Sequence, residues 1–153
     1  MNALELKVPP PVVALVVALV MWKIARLTFT FEVDAALRIA LTTVIMLVGV
    51  AISAAGVAAF RRARTTLDPM KPQAASSLVT GGIYRMSRNP MYVGVLFVLV
   101  GWAVFLRAPW AVVGPLLFVA YMNRFQIRPE ERILMASFGG RYASYKSTVR
   151  RWM

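Results

Sequence analysis

The 153-residue chain is 59% hydrophobic, which fits one domain but exceeds the roughly 45–50% apolar share of soluble proteins and indicates an integral membrane protein. Its 18 lysines and arginines outnumber six acids, for a net charge of +12, and because most of them flank apolar runs they fit membrane orientation and anionic headgroups better than nucleic acid. The lack of cysteine and histidine excludes disulfides and thiolate chemistry and removes the commonest general base and metal ligand, so no metal is expected.

The first apolar run predicts a transmembrane helix over about residues 10–29, with Trp22 and Lys23 as interfacial anchors. A signal peptide is the alternative interpretation. Only Lys7 precedes the run as a positive side chain, and no small-residue cleavage site follows it. Both observations favour the transmembrane helix.

A second apolar run predicts a transmembrane helix over about residues 36–60, with Asp34 placed to cap its start. Within this run, Gly49, Ser53 and Gly56 form a stripe of small residues. Such a stripe is typical of close helix–helix packing rather than of a ligand site.

A basic loop over residues 61–89 follows the second span. Near its end Gly81-Gly82 predicts a tight turn with positive φ. Asn89 and Pro90 then have the residue types of a helix N-cap and of a first helical position. The unpaired N–H groups at a helix start attract anions, so this stretch is a candidate ligand site.

Two further apolar segments, about residues 90–107 and 109–127, are joined so closely that they predict a tight antiparallel helical hairpin. The basic, amphipathic tail over residues 128–153 is expected to lie at the membrane interface. Gly139-Gly140 is expected to divide it into two short helices.

These segments predict an all-α integral membrane protein of one domain with about four transmembrane helices. Four spans place loop 61–89 and tail 128–153 on one side of the membrane. Because both segments are rich in lysine and arginine, the positive-inside rule predicts that this side is cytoplasmic. The short length and the lack of eukaryotic targeting signals suggest a bacterial inner membrane.

Several polar side chains near these segments have an ordinary explanation when taken singly. Glu130 and Glu131 follow Pro129 in the first turn of a predicted helix, where the helix dipole accounts for them. The functional alternative is a carboxylate that receives an ammonium group or ribose hydroxyls. The other candidates are ordinary interfacial aromatics or positive-inside charges: Tyr84, Tyr92, Arg88, Arg124 and Arg128.

In combination these residues form two specific motifs. The first reads LVTGGIYR over residues 78–85 and SRNPMYVG over residues 87–94, and the second reads EERIL over residues 130–134, followed by Phe138-Gly139, Tyr142 and Tyr145-Lys146. Their order, with a helical hairpin between them, resembles the isoprenylcysteine carboxyl methyltransferase and phospholipid methyltransferase superfamily. The resemblance covers about residues 65–149.

This resemblance implies an all-helical membrane enzyme that binds S-adenosylmethionine between the loop, the hairpin and the tail. The cofactor's carboxylate suits a helix N-terminus, its ammonium or ribose suits Glu130, and its adenine suits Leu78 and Val79. Carried over by position, the implied cofactor contacts are Ser76, Ser77, Leu78, Val79, Tyr84, Asn89, Pro90, Met91, Tyr92 and Glu130.

Methyl transfer from a sulfonium depends mainly on alignment of donor and acceptor. A carboxylate or thiolate acceptor needs no base, whereas an amine or hydroxyl requires a proton acceptor such as Glu131 or Tyr92. We expect a lipophilic acceptor that enters from the bilayer, with Arg88 or Arg124 on its anionic part. Gln126 stands where the prenylcysteine enzymes have a substrate-contacting arginine, so the acceptor stays open.

Two other function classes compete with this interpretation. Membrane sterol reductases share the C-terminal architecture and use a nicotinamide dinucleotide, but they are much longer chains. A small transporter or a non-enzymatic scaffold is the other alternative. Proton-coupled exporters typically need an acid within a span, and the six acids of this chain all lie outside the predicted span cores.

Overall fold

The computed structural model describes residues 5–64 and 76–153, and this part of the chain is helical with no strand, which confirms the predicted all-α class. Residues 65–75 of the predicted loop 61–89 lie outside the described residues. The helices are α1 (Pro10–Leu27), α2 (Ala35–Arg62), α3 (Pro90–Leu106), α4 (Val113–Tyr121), α5 (Arg128–Phe138) and α6 (Gly140–Thr148).

Within the described ranges, α1 and α2 are the two helices that are long and apolar enough to cross a membrane. Their large apolar side chains face outward, and Leu15, Leu19 and Leu47 are each more than half exposed. An apolar outer surface of this kind fits contact with lipid. Helix α3 is 17 residues long and apolar, so the count of four spans stays a prediction.

The start of α2 confirms the predicted cap. Asp34 is its N-cap, and its Oδ1 accepts a hydrogen bond from the Leu37 N–H at 2.9 Å. Helix α1 ends at Leu27, two residues before the predicted end, because the chain is already extended at Thr28. The connector between the two helices is therefore slightly longer than predicted.

Glycines bring α2 and α3 into close contact. A Cβ on Gly49 would lie 2.5 Å from the Gly94 carbonyl oxygen, and one on Gly56 would lie 2.6 Å from Met91 Cγ. Ser53, between the two glycines, donates its hydroxyl to the Met91 carbonyl at 3.2 Å. The stripe of small residues is thus a packing surface, as predicted.

A sharp reversal joins α3 to the next helical segment. Arg107 ends α3 in the left-handed region with φ 57°, and a 3-10 turn, Pro109–Val112, follows after one residue. The Phe31 N–H of the connector before α2 donates to the Arg107 carbonyl at 2.9 Å. The predicted tight hairpin turn is therefore present, and the connector holds it in place.

The segment after α4 departs from a regular helix. Met122–Ile127 is a π-helical turn, and the chain enters α5 with helical dihedrals at Ile127. Pro129 has no N–H for the Phe125 carbonyl four residues earlier, and that carbonyl instead accepts from the Leu6 N–H at 3.1 Å. Helix α5 begins at Arg128 with Glu130 and Glu131 in its first turn, as predicted, and it follows the π-helical turn without a break in the helical backbone.

The core lies where α1, α3 and α4 meet. Met21, Phe118, Met122 and Ile127 are fully buried there. A second cluster joins the glycine turn to α6 and centres on three tyrosines. Gly139, with φ 52°, separates α5 from α6, which confirms the predicted division into two short helices.

Candidate active site

The glycine turn places Tyr84 in a buried tyrosine cluster. Gly82 has φ 61°, as predicted, and begins a 3-10 turn that ends at Arg85. Tyr145 Oη donates to the Tyr84 carbonyl at 2.7 Å, and Tyr142 packs beside them. Burial raises the pKa of Tyr142 to about 12, so its phenol stays protonated at neutral pH.

The loop residues before the turn divide into two pairs. Leu78 and Val79 are half-buried and pack against the tyrosine cluster. The hydroxyls of Ser76 and Ser77 donate to the last carbonyls of the α2 region, those of Arg64 and Ala63, at 3.5 and 3.3 Å. The first pair offers an apolar surface, and the second ties the loop to α2.

At the start of α3 the N-cap position is confirmed, but the Asn89 side chain does not cap the helix. Its amide donates to the Arg151 carbonyl at 2.9 Å. The Asn89 N–H donates to Ser87 Oγ, and the Tyr92 and Val93 N–H groups both donate to the Asn89 carbonyl. Three N–H groups of this predicted anion site are therefore already bonded.

Pro90 and Met91 occupy the first turn of α3 and face α2. Pro90 is fully buried, and Met91 packs against Gly56. These contacts belong to the packing between the two helices. The two residues support the position of Tyr92, which follows them in the same turn.

Glu130 and Tyr92 form a polar pair between α3 and α5. Tyr92 Oη donates to Glu130 Oε2 at 3.2 Å, and the buried Gln126 side chain also hydrogen-bonds Tyr92. Burial raises the pKa of Glu130 to about 7, and the nearby Glu131 charge acts in the same direction. A carboxyl group of this kind changes charge near neutral pH, as acid–base and ligand groups often do.

Glu131 faces a different set of partners. Arg151 holds both of its carboxylate oxygens, at 3.0 and 2.8 Å, and Arg88 Nη1 lies 3.0 Å from Oε1. Lys146 Nζ lies 3.8 Å from Oε2. Both the Glu131 and the Arg88 side chains are 10% exposed, so the central pair of this network is largely buried. The network joins the loop to α5 and to the chain after α6.

Arg124 lies in a separate group with the start of the chain. Its Nη1 is 3.1 Å from Glu5 Oε1, and Arg132 Nη2 is 2.7 Å from Glu5 Oε2. The predicted acceptor contacts Arg88 and Arg124 thus belong to two different ion-pair groups, one on Glu131 and one on Glu5.

Sequence reasoning missed the segment that follows α6. The Arg88 N–H donates to the Arg150 carbonyl at 3.0 Å, and Ser87 Oγ donates to the Arg151 carbonyl at 3.3 Å. Trp152 Nε1 donates to Asn123 Oδ1 at 3.1 Å. These residues and Glu5 carry no local spacing signal, because each meets partners far away in the chain.

Comparison with known proteins supports the family that the two sequence motifs indicate. The family described as phospholipid methyltransferase matches residues 37–141, more than half of the chain. Protein-S-isoprenylcysteine O-methyltransferase A of Arabidopsis thaliana is 33% identical over 109 residues, which are 69% of this chain and 54% of the plant protein. The chain therefore spans about half of that relative's length.

A second relative is an uncharacterized protein of Haemophilus influenzae. It is 40% identical over 63 residues, which are 41% of this chain and 100% of that protein. No solved structure matches the chain.

Proposed function

The chain belongs to the phospholipid methyltransferase family, and from this premise we propose that it transfers a methyl group from S-adenosylmethionine to a lipophilic acceptor. The family and the plant relative point to a membrane methyltransferase. The acceptor class is a lipid or prenylated molecule with a carboxylate, thiol or amine. The proposed setting is a bacterial inner membrane, crossed four times, with loop 61–89 and tail 128–153 on its cytoplasmic face.

One observation carries the cofactor part of this proposal, namely the surroundings of Glu130. Among the described residues Tyr92 supplies its side-chain hydrogen bond, so the carboxylate keeps acceptor positions for an ammonium group or ribose hydroxyls. The pair lies near Tyr84 of the glycine turn, so the Glu130 charge adds to the effect of burial in raising the pKa of the Tyr84 phenol. A methyl donor with a cationic amino-acid end fits a carboxylate held this way.

Other residues would hold the remainder of the cofactor. The half-buried Leu78 and Val79 beside the tyrosine cluster offer a surface for an adenine ring. Asn89 and the chain at the start of α3 are proposed for the carboxylate end, although most of that terminus is already hydrogen-bonded. S-adenosylmethionine, when bound, supplies the electrophilic methyl group.

The chain's own polar groups then divide between proton handling and positioning. Glu130, with a pKa near 7, can take a proton from an amine or hydroxyl acceptor through Tyr92. Glu131 would lose its ion pairs with Arg88 and Arg151 if it accepted a proton. We therefore assign Glu131 and Arg88 to positioning, because they fix the loop against α5.

The acceptor's apolar part has a matching surface. A recess of about 370 Å³ lies among α1, α2 and α3, and its lining is apolar, with Ala18, Met46, Val98 and Trp102 among the residues. It lies on helices whose outer faces suit lipid. This position supports lateral entry of a lipophilic acceptor from the bilayer.

Calorimetric titration of the detergent-purified full chain with S-adenosylhomocysteine tests the proposal. We expect wild-type binding in the micromolar range and about 10-fold weaker binding by Glu130→Gln, since one charged hydrogen-bonding partner of the ligand is lost. Glu32→Gln is the matched control, because Glu32 is an exposed acid in the connector before α2.

A folded wild-type chain that binds no S-adenosylhomocysteine, in detergent or in added lipid, would contradict the methyltransferase proposal. Such a result would favour the scaffold alternative. Equal losses in the Glu130 and Glu32 variants would keep the cofactor but remove Glu130 from its site.

A further inference from the structure

A basic pocket of about 580 Å³ lies beside the proposed cofactor site and is not used by it. Its lining includes one acid, Glu131, and one apolar side chain, Met135. Glu130 is not among the lining residues, because it faces Tyr92 instead. The other lining residues are all cations: Arg124, Arg128, Arg132, Lys146 and Arg151.

The charges around this pocket do not cancel. Glu5 neutralises part of Arg124 and Arg132, while Glu131 is shared by Arg151, Lys146 and Arg88. With Arg128 included, the cluster contains six cationic side chains and only two carboxylates. Arg128 itself has no ion pair within residues 5–64 and 76–153.

The acidic and the cationic side chains around this pocket also differ in their exposure. The Glu5 and Glu131 side chains are 4% and 10% exposed, whereas those of Arg124, Lys146 and Arg132 are 46%, 43% and 62% exposed. The two acids are therefore more buried than these three cations, which they hold by ion pairs. The cationic groups keep donors directed toward the pocket, which suits an anion with several oxygens.

We propose that this pocket binds a phosphate group, and that its occupant is the phosphate monoester of a membrane lipid that is not the methyl acceptor. A phosphate monoester carries about −1.5 to −2 charges at neutral pH and three strong acceptor oxygens. That charge and geometry match a pocket with several forked guanidinium groups. Lipid is the favoured source because α5 continues directly from an apolar helix and so lies at the level of lipid headgroups.

Calorimetric titration of the detergent-purified full chain tests this site. The probes are dihexanoyl phosphatidic acid, inorganic phosphate and dihexanoyl phosphatidylcholine. We expect phosphatidic acid to bind, phosphatidylcholine to bind at least about 10-fold more weakly, and the binding to weaken as salt rises. Arg128→Gln should weaken phosphatidic acid binding about 5- to 10-fold. Arg61→Gln is the control, because it removes one exposed charge at the end of α2.

The outcomes separate the site from general attraction and from the proposed function. Equal losses in the Arg128 and Arg61 variants, or no binding of any phosphate compound, would overturn the proposal. Inorganic phosphate binding as tight as that of phosphatidic acid, and lost in Arg128→Gln, would uphold the phosphate site with the free ion as occupant. A parallel S-adenosylhomocysteine titration tests cofactor binding separately, so either proposal can fail alone.

Discussion

Two adjacent glutamates show how one position along a helix changes the chemistry of a side chain. Successive residues of an α-helix differ by about 100° around its axis. Glu130 therefore meets Tyr92 of α3, whereas Glu131 meets Arg88, Lys146 and Arg151. The first is a carboxyl group with a raised pKa, and the second is a carboxylate surrounded by cations.

The raised pKa of Glu130 predicts a particular pH dependence of stability. Burial raises this pKa from the usual 4.5 to about 7, so the folded chain binds the proton more tightly than the unfolded chain. The contribution to stability is complete below pH 4.5 and is lost as the pH rises toward 7, by up to about 3 kcal/mol. Thermal melting at pH 5 and pH 8 should show a larger fall for wild type than for Glu130→Gln. Parallel falls would contradict the assignment.

The Tyr92 hydroxyl provides a second prediction at this scale. Tyr92→Phe removes the donor that favours the charged form of Glu130. We expect S-adenosylhomocysteine binding at pH 7 to weaken about 3- to 10-fold, and part of the loss to be recovered at pH 8.5, where Glu130 is charged again. Tyr121→Phe is the control in the same calorimetric titration, because Tyr121 packs on Phe125. A loss that does not change with pH would show that the hydroxyl acts on the ligand directly.

At the scale of elements, the pair α2 and α3 fixes the start of α3 and so the position of Tyr92. A Cβ at Gly94 would collide with Ser53 Oγ and with the Gly49 carbonyl oxygen. The Gly49 carbonyl oxygen belongs to the backbone of the neighbouring helix and can yield only if the helices separate. The first turn of α3, with Pro90 and Met91, would then move away from α5.

Gly94→Ala is therefore expected to destabilise the fold by about 1–3 kcal/mol or more. A lower melting temperature in detergent, together with weaker S-adenosylhomocysteine binding, is the expected result. Gly140→Ala is the control, since a Cβ there meets no heavy atom within 4 Å. A Gly94 variant that melts like wild type would contradict the close approach of the two helices.

At the scale of the whole molecule, the segment after α6 joins parts of the chain that are remote in sequence. Arg151 binds Glu131 through its side chain and Asn89 and Ser87 through its carbonyl oxygen. Trp152 adds a contact to the π-helical turn. The segment after α6 thus holds the loop, the hairpin and α5 together, and weakening its contacts should destabilise all three.

Glu131→Gln tests how the segment after α6 is attached. The change removes the carboxylate shared by Arg88, Lys146 and Arg151, and it leaves the mostly buried Arg88 guanidinium without a carboxylate partner, which is strongly destabilising. We expect the rate of tryptic cleavage after Arg150 and Arg151 to rise about 10-fold or more, because local opening becomes easier. Glu32→Gln should leave the rate unchanged. An unchanged rate in Glu131→Gln would show that backbone hydrogen bonds alone hold the segment.

Features that depend on neighbouring residues could be predicted from the sequence, whereas contacts between distant residues could not. Asp34, Gly82 and Gly139 were predicted correctly because caps and turns depend on neighbouring residues. The ion pair between Glu5 and Arg132 could not be predicted, since the two residues are 127 positions apart. Asn89 shows the intermediate case. Its position at the helix start was predicted correctly, but its side-chain amide donates to a distant carbonyl instead of capping the helix.

The contact between Ser87, Asn89 and Arg151 also has a consequence for synthesis of the protein. A ribosome releases the loop and α3 well before it releases Arg151. The apolar helices can therefore insert into the membrane before the contact between the loop and Arg151 has formed. A nascent chain arrested within α6 would lack the Arg151 carbonyl that Ser87 and Asn89 bind, so the loop could reach its final position only after translation has passed Arg151.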